Sequence, residues 1–115
     1  MSRKVVSLEE ARTADRDRVL TGILDGWGVA GAERAALLGE GEDLRDHLER
    51  VSLLLTIHRA TLTMYPMSRA AADTWVHAAN PYLEGRSPLE VMLEPGLSGL
   101  RRIAEHVNSS SPWGT

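Results

Sequence analysis

The chain has 115 residues, a formal net charge of −3, 43% hydrophobic and 25% charged residues, and no cysteine. This length supports one modest hydrophobic core, and the balanced composition argues against a disordered or membrane-spanning chain. Without cysteine there can be no disulfide, thiolate nucleophile or cysteine zinc site, and the acidic balance disfavours a dedicated nucleic-acid binder. Because the first residues lack the apolar stretch of a signal peptide, we expect a cytoplasmic protein.

Helical patterns begin close to the N-terminus. Ser7 and Glu10 have the spacing of a capping box, and apolar residues recur at helical intervals from Val19 to Trp27. A short second helix is predicted over about residues 32–38, with Gly39 as the left-handed residue that follows its end. The acidic turn 40–43 then leads into a third helix.

The third helix has the strongest periodicity in the chain, with apolar residues spaced alternately by four and three. The residues of this stripe are Leu44, Leu48, Val51, Leu55, His58, Leu62 and Tyr65. Because Leu54 and Ile57 widen the stripe, we predict a long central helix that is contacted on several sides and ends before Pro66. This broad apolar surface, together with Trp27, also predicts a homodimer.

The remaining elements are short and clearly bounded. A fourth helix is predicted over about residues 68–79, followed by a loop over residues 80–86 and a short helix that begins with a second capping box at Ser87 and Glu90. Pro95 and Gly96 end that helix, and a last helix follows. Since no segment alternates as a strand does, the sequence predicts an all-α fold, a compact bundle of about five to six helices with a long central helix.

The four histidines do not indicate a metal or catalytic site. His47 and His58 share a face of the third helix but lie about 16 Å apart by helical rise. His77 is placed to pair with Asp73 one turn earlier, and His58 is expected to hydrogen-bond inside the core. No acid–base pair, nucleophile motif or phosphate-binding loop is recognisable. We therefore expect no catalytic residue, no metal ligand and no cofactor.

The segment from Trp75 to Leu93 combines several signals in a fixed order. A Trp is followed by Asn-Pro, by Gly-Arg and by the Ser-Pro-Leu-Glu cap. Gly85 permits a positive φ before the cap, so Arg86 is expected at the rim, free to bind a partner. The residues expected to fix the architecture are Trp75, Pro81, Pro88, Leu89 and Glu90.

This order resembles the toxin-binding domain of the MbcA/ParS/Xre antitoxins. The matching residues are Trp75, Asn80, Pro81, Gly85, Arg86, Ser87, Pro88, Leu89 and Glu90. The resemblance implies an antitoxin that is not an enzyme and that covers the active site of a RES-domain toxin, a class that consumes NAD or uses it for ADP-ribosylation. It also implies an Xre-like N-terminal region over residues 1–43 and a toxin-binding region over residues 44–115. The residues expected to face the toxin are Asn80, Gly85, Arg86, Ser87, Pro112 and Trp113.

The N-terminal region departs from the family members that bind their own promoters. Only residues 40–43 separate the second helix from the long third one, which leaves no room for a separate recognition helix. We therefore expect weak or absent DNA binding. Two alternatives stay open: a transcriptional regulator that presents Arg45, Arg50 and Arg59 of the third helix to DNA, and a relic or adaptor protein without a toxin.

Overall fold

The computed structural model describes residues 8–109, which form six α-helices and one 3-10 helix and contain no strand. The elements are α1 (Leu8–Gly26), α2 (Gly31–Leu38), α3 (Leu44–Met64), α4 (Arg69–Trp75), a 3-10 helix (Pro81–Leu83), α5 (Pro88–Met92) and α6 (Ser98–Ser109). The predicted all-α fold with a long third helix is therefore confirmed. No helix within residues 8–109 is long and apolar enough to span a bilayer.

Short polar residues and glycines set the helix ends. Gly39 has a φ of 69° after α2, as predicted, and Asp43 begins α3 by accepting a hydrogen bond from the amide of Asp46 at 2.8 Å. The fourth helix is shorter than predicted and ends at Trp75. Beyond Trp75, the amides of His77 and Ala78 bond to the carbonyls three residues earlier, at 3.0 and 3.2 Å. The Val76 carbonyl accepts a hydrogen bond from the Leu89 amide at 2.9 Å, which links the end of α4 to α5.

The buried face of α3 is rotated from the predicted stripe. Leu54, Ile57 and Thr61 are fully buried, whereas Leu44 and Leu48 at the start of the stripe are 70% and 41% exposed. The packing of α1, α2, α4 and α6 against the helix decides which side is covered. One continuous hydrophobic cluster extends from Leu20 to Val107, so both predicted regions of the chain share a single core.

A buried arginine joins α2, α3 and the connection before α6. The Arg50 side chain contacts the Asp46 carboxylate at 2.5 Å and donates to the carbonyls of Ala36 at 3.0 Å and Gly96 at 3.3 Å. Arg50 is only 5% exposed. The sequence-based alternative in which Arg50 contacts DNA is therefore wrong for this residue, because its guanidinium is buried and hydrogen-bonded within the protein.

One histidine prediction is wrong, and another is met by an unpaired ring nitrogen. The Nε2 atom of His77 lies 2.6 Å from the carbonyl oxygen of Trp27, to which it donates, while Asp73 pairs with Arg69. The Nδ1 atom of buried His58 has no hydrogen-bond partner in the described part of the chain. Burial and the nearby charge of Arg69 lower the pKa of His58 from its ordinary value of 6.5, which favours the neutral ring.

The last two helices pack with almost no space between them. A Cβ atom added to Gly99 on α6 would lie 1.9 Å from the carbonyl oxygen of Val91 on α5. Only glycine permits this approach. The contact fixes α5 on α6, and with it the loop that precedes α5.

Candidate functional site

The loop over residues 80–86, here called the Asn80 loop, is closed by hydrogen bonds to one residue. The Asn80 carbonyl accepts from the amides of Leu83 at 2.9 Å and Gly85 at 3.0 Å, and the Asn80 amide donates to the Arg86 carbonyl at 3.0 Å. The Asn80 side-chain oxygen accepts from the Tyr82 amide at 2.8 Å. Asn80, predicted as a toxin contact, is thus also the residue that holds the loop together.

Two consecutive left-handed residues turn the Asn80 loop toward α5. Gly85 has a φ of 81°, as the sequence predicts, and Glu84 before it has a φ of 56°. The second value could not be predicted from residue type, because a non-glycine residue adopts a positive φ only when its surroundings compensate for the strain. The turn brings Arg86 and Ser87 to the beginning of α5.

The predicted capping box at α5 is present. The Ser87 hydroxyl accepts from the Glu90 amide, and the Glu90 carboxylate accepts from the Ser87 amide, both at 3.2 Å. Pro88 occupies the first turn, and Leu89 is buried. Ser87 itself is only 6% exposed. Its hydroxyl, predicted to face the toxin, is therefore part of the support beneath the loop.

The guanidinium of Arg86 is not free, in contrast to the sequence-based expectation. It donates to the Glu94 carboxylate and lies 3.6 Å from the Glu84 carboxylate, which also accepts from Arg102 at 2.9 Å. These four residues are called the charge network. The hydrogen bond to Glu94 raises the pKa of Arg86, and the hydrogen bond from Arg102 lowers the pKa of Glu84. Both shifts favour the charged forms of Arg86 and Glu84, and the contacts with Glu94 and Glu84 orient the Arg86 guanidinium.

Beside the Asn80 loop lies an open depression of about 350 Å³ with aromatic walls, here called the aromatic cleft. Its lining residues are Trp75, Ala78, Ala79, Asn80, Pro81, Tyr82 and His106. The rings of Trp75 and His106 are stacked, with centroids 6.4 Å apart and planes 13° apart, and the Tyr82 and His106 centroids are 6.1 Å apart. Tyr82 is 79% exposed.

The aromatic cleft gives Trp75 a position that differs from the expected one, and it includes two residues that the sequence did not indicate. Trp75, predicted to serve the architecture, is only partly buried and forms a wall of the cleft. Tyr82 and His106 were not singled out as site residues. Tyr82 follows the Asn-Pro turn and could have been noticed there, but nothing in the local sequence shows that α6 brings His106 to the same place.

Two predicted toxin contacts, Pro112 and Trp113, lie outside the described residues, as does the Ser7 cap of α1. Within residues 8–109 no group of three or more His, Asp or Glu side chains is placed to hold a metal ion. The arrangement that the structure does show is a rigid loop, a charged network and an aromatic depression on one part of the surface. Such a surface is suited to binding another macromolecule.

Comparison with known families gives a match over the C-terminal part of the chain. Residues 62–109 match the family described as the antitoxin Xre/MbcA/ParS C-terminal toxin-binding domain. The matched segment begins within α3 and contains the Asn80 loop, the charge network and the aromatic cleft. The resemblance inferred from the motif between Trp75 and Glu90 is thereby confirmed. Comparison with curated proteins and with solved structures finds no match.

Proposed function

We propose that the chain is an antitoxin whose partner is a RES-domain toxin, because residues 62–109 match the family of C-terminal toxin-binding domains of the Xre/MbcA/ParS antitoxins. In this proposal it acts in the cytoplasm, catalyses no reaction and binds over the entrance to the toxin's active site. The single observation that carries the proposal is the family match, which includes the whole of the surface described above.

The construction of this surface supports a role in binding. The capping box and the hydrogen bonds of Asn80 hold the loop in its folded shape before any partner arrives. A surface that is already ordered loses little conformational entropy on binding, so more of the contact energy contributes to affinity. Trp, Tyr and Arg are also the residues that dominate many interfaces, and Trp75, Tyr82 and Arg86 lie together here.

Arg86 can contact the toxin without leaving its own network. A guanidinium has five N–H donors, and the side chain of Arg86 is 37% exposed while it contacts Glu94 and Glu84. We propose that its remaining donors bind carbonyl or carboxylate oxygens at the rim of the toxin's active site. Gly85 contributes by keeping the backbone beside Arg86 free of a side chain.

Three further elements belong to the same proposal. Residues 110–115 follow α6 directly, and we propose that Pro112 and Trp113 extend the contact with the toxin. The exposed Leu44 and Leu48 on α3 are proposed as part of a homodimer interface. DNA binding is proposed to be weak or absent, because only residues 39–43 connect α2 to α3 and Arg50 is buried.

Co-expression with the RES-type toxin encoded by a neighbouring gene tests the proposal. The wild-type chain is expected to restore growth and to co-purify with the toxin. A variant that disrupts the matched domain while leaving the chain folded should lose both effects. If no RES-type gene is adjacent, or if the chain neither binds nor protects, the adaptor alternative replaces the antitoxin.

A further inference from the structure

The aromatic cleft is an apolar depression that no described side chain fills. Its walls come from the end of α4, the turn that follows, the Asn80 loop and α6. Its volume of about 350 Å³ is large enough for one aromatic side chain. An exposed ring such as Tyr82, at 79%, remains in contact with water unless something covers it.

The sequence supplies an occupant close by. His106 is on the last turn of α6, which ends at Ser109, and residues 110–115 then read Ser-Ser-Pro-Trp-Gly-Thr. Trp113 is the only large apolar residue in this stretch. Four residues of extended chain span at most about 13–14 Å, whereas His106, which lines the cleft, precedes Ser109 by three residues or about 4.5 Å of helical rise. Trp113 can therefore reach the cleft from the end of α6.

We propose that the side chain of Trp113 docks in the aromatic cleft of its own chain. Trp prefers offset or edge-to-face contacts with other rings, which Trp75, Tyr82 and His106 can provide. The indole N–H also has an acceptor available, because the Asn80 side-chain oxygen uses one lone pair for Tyr82 and has a second. A short link gives Trp113 an effective concentration in the millimolar range, which favours it over a separate molecule.

This docking would give Trp113 a defined position in the free protein. The inference is independent of the proposed function, because it concerns the isolated chain and is tested without a toxin.

Fluorine NMR on the full chain labelled with 5-fluorotryptophan tests the docking. The chain has three Trp residues, and Trp113→Phe assigns the resonance in question. We expect that resonance to be displaced from its position in a free Ser-Ser-Pro-Trp-Gly-Thr peptide by the ring currents of the cleft. Tyr82→Ala and Ala79→Glu should each return it toward the peptide position. Met67→Ala is the matched control, because Met67 is 94% exposed and does not line the cleft.

Three results would overturn the inference. The first is a Trp113 resonance at the peptide position in the wild-type chain. This would mean that Trp113 does not dock and that the cleft is open to a toxin residue. The second is a displaced resonance that neither cleft variant moves, which places Trp113 elsewhere. The third is a displacement that disappears on dilution, which assigns Trp113 to the cleft of a second copy.

Discussion

Replacing Gly99 with alanine tests the contact that holds the last two helices together. The new Cβ would lie 1.9 Å from the Val91 carbonyl oxygen and 3.0 Å from the Val91 carbonyl carbon, so α5 and α6 must separate. Overpacking of this kind costs about 1–3 kcal/mol. Alanine also favours the helix by up to about 1 kcal/mol over glycine. We therefore expect a net loss of about 1–2 kcal/mol in the free energy of unfolding, from a total of about 5–15 kcal/mol for a typical domain.

Gly22→Ala is the matched control for this change. Gly22 lies in α1, it is exposed, and a Cβ added there meets nothing within 4 Å. The same substitution should stabilise the protein here by about 0.5–1 kcal/mol. Urea denaturation followed by circular dichroism measures both variants. The reasoning is refuted if Gly99→Ala unfolds at the wild-type urea concentration or above it while Gly22→Ala is stabilised as expected.

Three further substitutions test the site and the core. Ser87→Ala removes a helix cap and should lower the free energy of unfolding in urea by about 1 kcal/mol. The pKa of His58 is lower in the folded state, so the unfolded chain binds a proton at a higher pH than the folded chain does. The free energy of unfolding of the wild type should therefore fall as the pH drops below 6.5. His58→Gln should make this pH dependence weaker, as measured by urea denaturation at several pH values. Arg86→Glu places a carboxylate beside Glu94 and should weaken toxin binding in calorimetry, while stability changes little because exposed ion pairs contribute little to it. Met67→Glu adds a carboxylate outside the charge network and should leave toxin binding unchanged.

An unchanged urea midpoint for Ser87→Ala would mean that the capping box is not formed in solution. Equal pH slopes for wild type and His58→Gln would place the titrating group elsewhere. If Arg86→Glu and Met67→Glu weaken toxin binding equally, the loss comes from the added negative charge and not from a specific contact of Arg86.

The local features of the fold follow from short sequence signals. The capping box at Ser87 and Glu90 and the positive φ of Gly39 and Gly85 are each determined within a few residues, and each was predicted correctly. The Trp-to-Glu motif likewise predicted the domain family that residues 62–109 match. These signals depend on backbone hydrogen bonds and φ values, which neighbouring residues control directly.

The buried side of α3 could not be predicted from the spacing of its apolar residues. A stripe with a repeat of seven drifts by about 20° per heptad around a straight helix, so the ends of a long stripe leave any one buried face. Leu44 and Leu48 are exposed for this reason, while Thr61 is fully buried. Packing by four other helices, and not hydrophobicity alone, selects the buried positions.

The hydrogen-bond and ion-pair partners of charged and polar side chains could not be predicted from the sequence either. His77 binds a carbonyl 50 residues away in the chain, and Arg50 one 46 residues away. Arg86 was expected at the rim and free, because Gly85 permits a positive φ before the cap. Its pairing with Glu94, beyond the short helix that follows, is visible only in the fold. In the same way, the aromatic cleft exists only because α6 returns His106 to Trp75 and Tyr82. Tertiary contacts of this kind require the assembled fold.

The most direct test of the central claim is the rate of NAD consumption by the purified RES-type toxin, measured while the full chain is added. We predict that the rate falls to background at saturation and that toxin and chain elute together in gel filtration. Arg86→Glu should require a higher concentration for the same inhibition, and Met67→Glu should not. A toxin that consumes NAD at an unchanged rate in the presence of excess folded chain, with no co-elution, would contradict the account.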